Sequence, residues 1–160
     1  MSRRSTIYES NIMEVQQDFK ELLELLNAHD VEYVIVGAYA LAFYGAPRFT
    51  GDIDILVRPS PGNARKIMSA MDDFGFGSLD LKEEDFQDLD SVVQLGVPPV
   101  RVDLITSITG VTWQEADAGK RQGRYADVPV YFLGREEFIA NKRALGRRKD
   151  LADLESLGEE

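Results

Sequence analysis

The sequence has no cysteine and a single histidine, His29, in 160 residues. Without thiols, neither a disulfide framework nor a thiolate metal site can form. One imidazole likewise rules out a histidine-rich zinc site. Any metal held by this chain must therefore sit among oxygens, a donor set that suits magnesium, manganese or calcium. Long apolar runs are missing too, since none approaches the roughly 18 residues that a membrane span requires. The basic start, Met1 to Thr6, leads into no apolar stretch of signal-peptide length, so a cytoplasmic protein is the expectation. Positive charge is scarce, with 18 Lys and Arg against 28 Asp and Glu and a net charge of -10. That balance disfavours a surface built mainly to grip a phosphate backbone.

What is present looks like an ordinary globular domain. The hydrophobic fraction of 44% and charged fraction of 29% lie near typical values. The length fits one domain over residues 1–160, with 1–10 as a flexible arm. Acidic residues crowd Asp72 to Asp90, where a solvated helix face is expected. Lys142, Arg143, Arg147, Arg148 and Lys149 form a short basic segment.

Apolar residues at Ile12, Val15, Phe19, Leu22, Leu23 and Leu26 predict a helix from Asn11 to Ala28. Val31 to Val36 is β-branched and aromatic and stops at Gly37, the pattern of a strand. Ala38 to Tyr44 predicts a short helix, Ile53 to Val57 a second strand. Ser60 and Pro61 suit the N-cap and first position of a helix reaching about Asp72. A short helix over Glu83–Leu89 follows. Val92–Leu95 and Val100–Ile105 then predict an antiparallel hairpin. Trp113–Ala118 is weakly helical, and Val128–Phe132 contains Pro129, which suggests an edge strand. Helices close the chain over Arg135–Leu145 and from an Asp150 cap onward. The expected fold class is α+β, a mixed sheet flanked by helices.

The chemistry concentrates in Asp52-Ile53-Asp54-Ile55. Strand side chains alternate, so Asp52 and Asp54 share one face about 7 Å apart while the isoleucines enter the core. Two carboxylates on one face repel unless a cation or a basic group sits between them, and this is the physical reason to suspect a metal. A calcium loop does not fit, because Leu56 stands where a third oxygen ligand is needed. Asp88-Leu89-Asp90 repeats the spacing within an exposed acidic run and reads as solvated. A third carboxylate, Asp103, lies in the apolar strand Val100–Ile105, where it is expensive unless paired or metal-bound. An ion pair with Arg101 or Arg48 that ties strands together is the alternative. Gly37-Ala38 ends a strand and opens a helix, where small residues let backbone N–H groups approach a phosphate; a plain turn is the alternative.

Together these residues resemble the nucleotidyltransferase superfamily that includes DNA polymerase β. Its signature is a strand, Gly-Gly or Gly-Ser, a spacer of about a dozen residues, Asp-h-Asp-h, and a later strand with a third Asp. Here the pattern is Val36-Gly37-Ala38, thirteen residues, Asp52-Ile53-Asp54-Ile55 and Val102-Asp103-Leu104. Ala40-Leu41-Ala42-Phe43-Tyr44-Gly45, Arg48-Phe49-Thr50-Gly51-Asp52 and the tail Ile139–Asp153 look most like small bacterial stand-alone members of the abortive-infection or toxin–antitoxin type.

The resemblance implies a nucleotidyltransferase-like fold and two Mg²⁺ ions on Asp52, Asp54 and Asp103, with Mn²⁺ as a substitute. Asp103 would also help deprotonate the attacking hydroxyl, and Gly37 and Ala38 would cradle the triphosphate. Ala38 departs from the pattern, since it has no hydroxyl to offer a phosphate. Arg48, Thr50 and Lys142 are the further nucleotide-binding candidates, each with a structural alternative. Tyr39 and Tyr44 could stack on a base, but a core role is the commoner outcome. The expected activity moves a nucleoside monophosphate from an NTP to a hydroxyl of a tRNA, a protein or a small molecule, with a cognate toxin or antitoxin as partner and no membrane. The alternatives are a non-catalytic binding or antitoxin module and a domain whose acidic residues are structural.

Overall fold

A computed structural model describes residues 16–46, 51–75, 80–97 and 100–159; the proposed arm at 1–10 lies outside these. The elements run α1 (Gln17–Ala28), β1 (Tyr33–Val36), α2 (Gly37–Phe43), β2 (Asp52–Val57), α3 (Pro61–Phe74), a 3-10 turn (Glu83–Phe86), β3 (Val92–Val97), β4 (Val100–Ile105), α4 (Trp113–Gly119), β5 (Arg121–Tyr125), β6 (Val128–Phe132), α5 (Arg135–Leu145) and α6 (Arg148–Ser156). The fold is a mixed sheet with helices around it, the expected α+β class.

The six strands are ordered β3-β4-β2-β1-β6-β5. Here β2 pairs parallel with β4 and β1 parallel with β6, while the other neighbours are antiparallel. Central position explains composition: all four residues of β1, Tyr33-Val34-Ile35-Val36, are buried. On α1, Phe19, Leu22, Leu23 and Leu26 recur at helical spacing and are fully buried. They join Ile53, Ile55, Val102 and Leu104 in one core.

Local signals place the ends of α3. Ser60 Oγ accepts from Asn63 N at 3.2 Å, Pro61 opens the helix, and Gly75 closes it at φ +99°. Buried Asn63 fastens the neighbouring strand ends together. Its Oδ1 accepts from Glu32 N at 2.8 Å, and its Nδ2 donates to Glu32 O and Arg58 O.

Two sequence expectations are corrected. Val128–Phe132 is not an edge strand, because β5 lies outside it. Pro129 is tolerated since β1 meets β6 only near Phe132, so the missing N–H interrupts no ladder on that side. The Pro129 carbonyl instead accepts from Asn27 Nδ2 at 2.7 Å. The last helix is capped by Arg147, not Asp150; Asp150 sits three residues in and accepts from Arg147 N at 3.1 Å.

Candidate active site

Strand register brings the acidic residues together. In the β2–β4 pair, Asp54 lies directly beside Asp103, and Asp52 beside Arg101. Opposed residues on paired strands share a face, so all three aspartates and Arg101 project from one side of the sheet. On the other side, Ile53, Ile55, Val102 and Leu104 anchor the same two strands in the core. Asp103 is only 8% exposed, while Asp52 and Asp54 are half-buried.

The pair Asp54–Asp103 carries the electrostatic tension. Burial pushes the Asp54 carboxyl up to about 6, helped by the charge of Asp103 and a hydrogen bond to it, then by Asp52. Arg101 pulls the other way. Two carboxyl groups can hydrogen-bond only by sharing a proton, so this pair binds positive charge readily.

Gly37 closes the site from above. Val36 pairs with Asp54 across β1–β2, which lays the next residue over that carboxylate. Gly37 takes φ +68°, and a Cβ built there would collide with Asp54 Oδ2. Glycine is thus required twice, by conformation and by space. Ala38 follows with its methyl group buried in the first turn of α2.

Arg101 occupies the gap among the acids. Its Nε donates to Asp103 Oδ1 at 2.9 Å and its Nη2 to Asp103 Oδ2 at 3.2 Å. The same Nη2 lies 3.2 Å from Asp52 Oδ2. The ion pair weighed for Asp103 from sequence is therefore formed, and it extends to Asp52. Among the described residues no three acidic or histidine side chains converge ready to hold one ion. The site nevertheless fits a divalent cation chemically: its donors are all oxygen, and three carboxylates face one guanidinium.

The remaining candidates divide. Arg48 and Thr50 lie outside the described residues. Lys142 is 8% exposed, 3.1 Å from Asp153 Oδ2 and 3.4 Å from Asp150 Oδ1, and it sits over the Phe138 ring. It ties α5 to α6, and any contact with a triphosphate would require leaving both acids. Arg147 also closes on Asp150, at 2.6 Å, and Arg143 on Glu159, so three of the five basic residues are ion-paired with acids of the C-terminal segment. Tyr39 is buried against Phe19 and Tyr125, and Tyr44 Oη donates to Leu133 O at 2.6 Å. Asp88 and Asp90 are exposed, as expected, and Asp90 Oδ1 accepts from Ser107 Oγ.

Farther along β2, two residues past Asp54 on the same face, Leu56 forms part of the wall of a cavity of about 490 Å³. Val111, Trp113, Thr106 and Ser107 also line it. No sequence pattern marks it, since its walls come from segments distant along the chain.

No protein-family model matches this sequence, and no curated protein does. Solved structures do. The chain superposes on a Thermotoga maritima protein to which nucleotidyltransferase activity is ascribed, with TM-score 0.60 and 18% identity over 86% of this chain and 88% of that one. It also superposes on the lincosamide antibiotic adenylyltransferase LnuA, solved with lincomycin bound, with TM-score 0.53 and 11% identity over 91% of this chain and 98% of that one. Among the described residues no helix is long and apolar enough to cross a membrane. The protein has a nucleotidyltransferase-like fold.

Proposed function

We propose that this protein is a Mg²⁺-dependent nucleotidyltransferase that moves a nucleoside monophosphate from an NTP to an acceptor hydroxyl. The observation that carries the reading is the Asp54–Asp103 pair, two carboxyls pressed together on adjacent parallel strands beside Asp52. Charge crowding of this kind is unfavourable unless the site exists to take a cation.

Asp52, Asp54 and Asp103 would hold the metal. When bound, two such ions supply charge stabilisation for the attacking and leaving oxygens of an in-line displacement. Asp103 would accept the proton of the attacking hydroxyl. Gly37 adds no side chain over the Asp54 carboxylate, and Gly37 and Ala38 would offer backbone N–H groups to the triphosphate. Lacking a hydroxyl, Ala38 would leave that grip to the backbone alone. Arg48 and Thr50 stand four and two positions before Asp52 in the sequence and would add charge and a hydroxyl near the phosphates.

The acceptor is a tRNA, a protein or a small molecule. The net charge of -10 and the pairing of Lys142 and Arg147 with acids of α6 weigh against a large RNA surface. Lincomycin on LnuA gives a small-molecule precedent on the same fold.

A second reading, a non-catalytic binding or antitoxin module with a toxin as partner, draws on Arg101, which fills the space between Asp52 and Asp103 as an ion otherwise would. Transfer of labelled nucleotide from each NTP, with and without Mg²⁺, separates the two. Wild type is expected to turn over and Asp54→Asn to lose nearly all activity; equal turnover in both removes the catalytic reading.

A further inference from the structure

We propose that Arg101 is a resident counter-cation whose departure admits the metal, so that it positions the carboxylates and sets their affinity for divalent ions. This rests on the metal-dependent reading above but concerns a residue to which that reading gives no role.

The argument begins with register. Arg101 precedes Asp103 by two residues on β4 and lies opposite Asp52 on β2, so its side chain can only emerge among the acids. Its planar guanidinium uses two N–H groups on Asp103 and shares one of them with Asp52. Charge-assisted bonds of this geometry are strong and orienting. They also use the oxygens that an ion would need. Asp103 Oδ1 and Oδ2 both accept from Arg101, and Asp52 Oδ2 turns toward the same nitrogen.

That arrangement accounts for an otherwise awkward finding, namely that aspartates sharing one face, in adjacent register, form no ready-made cage among the described residues. The guanidinium engages Asp103 through both arms of its fork and Asp52 through one of them, so both carboxylates are turned toward it. Asp54 is left against Asp103 and beneath Gly37. A divalent cation entering here competes with Arg101 for Asp103 and Asp52. Its binding is therefore coupled to the movement of that side chain.

The test uses metal-free full-length protein and Mn²⁺ as the probe, with free ion followed by electron paramagnetic resonance. Arg101→Gln is expected to bind Mn²⁺ about tenfold more tightly than wild type, because two charge-assisted bonds no longer have to break first. Arg101→Lys, which keeps the charge but loses the fork, is expected to fall between them. Equal or weaker Mn²⁺ binding by Arg101→Gln, with wild-type binding intact, overturns the role of Arg101 and leaves the metal reading standing. No Mn²⁺ binding by wild type or either variant overturns both. Should the variants not fold, wild type labelled with ¹⁵N-arginine gives a second readout. The Arg101 Nε–H resonance must move when Mg²⁺ saturates the site, and a resonance unmoved at saturation overturns the proposal.

Discussion

Replacing Asp54 with asparagine should stabilise the metal-free protein, even though the same change is expected to abolish turnover. Burial, reinforced by Asp103, moves the Asp54 carboxyl from 3.8 to about 6. Between those values the folded chain keeps a proton that the unfolded chain releases. The stabilisation tied to that proton is complete below about pH 4 and disappears as the pH rises through 6, leaving a penalty of about 3 kcal/mol at pH 8. Asparagine is neutral at every pH and escapes the penalty. The difference in stability between Asp54→Asn and wild type should thus be flat below pH 4, climb between 4 and 6, and level off above. Because Asp103 supplies part of the effect, about 3 kcal/mol is a ceiling, equivalent to roughly 6–12 °C in melting temperature for a chain of this size. Thermal melts of both proteins in EDTA across pH 4 to 8 measure it directly. Adding Mg²⁺ at pH 8 should then raise the melting temperature of wild type and leave the variant where it was. A variant less stable than wild type in EDTA at pH 8, or a difference that does not change with pH, would refute the reasoning that these two carboxyls are in conflict.

Three further outcomes follow from the geometry. Gly37→Ala should lose at least about 1 kcal/mol in urea unfolding from its positive φ alone, with turnover lost besides, because the added Cβ meets the Asp54 carboxylate. Lys142→Met should destabilise by about 1.5 to 3 kcal/mol, since it removes the ammonium from buried Asp153 and one of the two cations at Asp150, which keeps Arg147, whereas a purely nucleotide-binding lysine would change NTP affinity and leave unfolding alone. Asp150, held at about 2 by its hydrogen bonds to Arg147, contributes stability that is present above about pH 4 and lost as the pH falls through 2. Asp150→Asn should accordingly flatten the acid limb of the stability curve over that window, as read by circular dichroism.

Much of this was legible in the residues because it followed from period. The stripe Phe19, Leu22, Leu23, Leu26 and the all-apolar β1 announce their elements, and Ser60-Pro61 marks where α3 begins. The alternation in Asp52-Ile53-Asp54-Ile55 correctly put both acids on one face. What could not be read depended on partners distant in sequence. Strand β5, Arg121-Gln122-Gly123-Arg124-Tyr125, has only one buried residue and so no apolar alternation to detect. Its presence outside β6 is what displaced Pro129 from the sheet edge. Lys142 looked available on an amphipathic helix, and only the packing of α6 shows its charge matched by Asp150 and Asp153. Arg101 could be suspected as a partner of Asp103 from its i–2 position, but its reach to Asp52 needed the β2–β4 register.

That register also insures the chemistry against partial failure. A slip of one position between β2 and β4 would turn Asp103 away from Asp54, and in the same movement swing Val102 and Leu104 out of the interior and Arg101 into it. A chain that has mispaired these strands cannot persist as a compact but inert species, because the error that dismantles the acidic cluster also dismantles the oil beneath it. Correct alignment of the reacting groups is in this sense proofread by the hydrophobic interior.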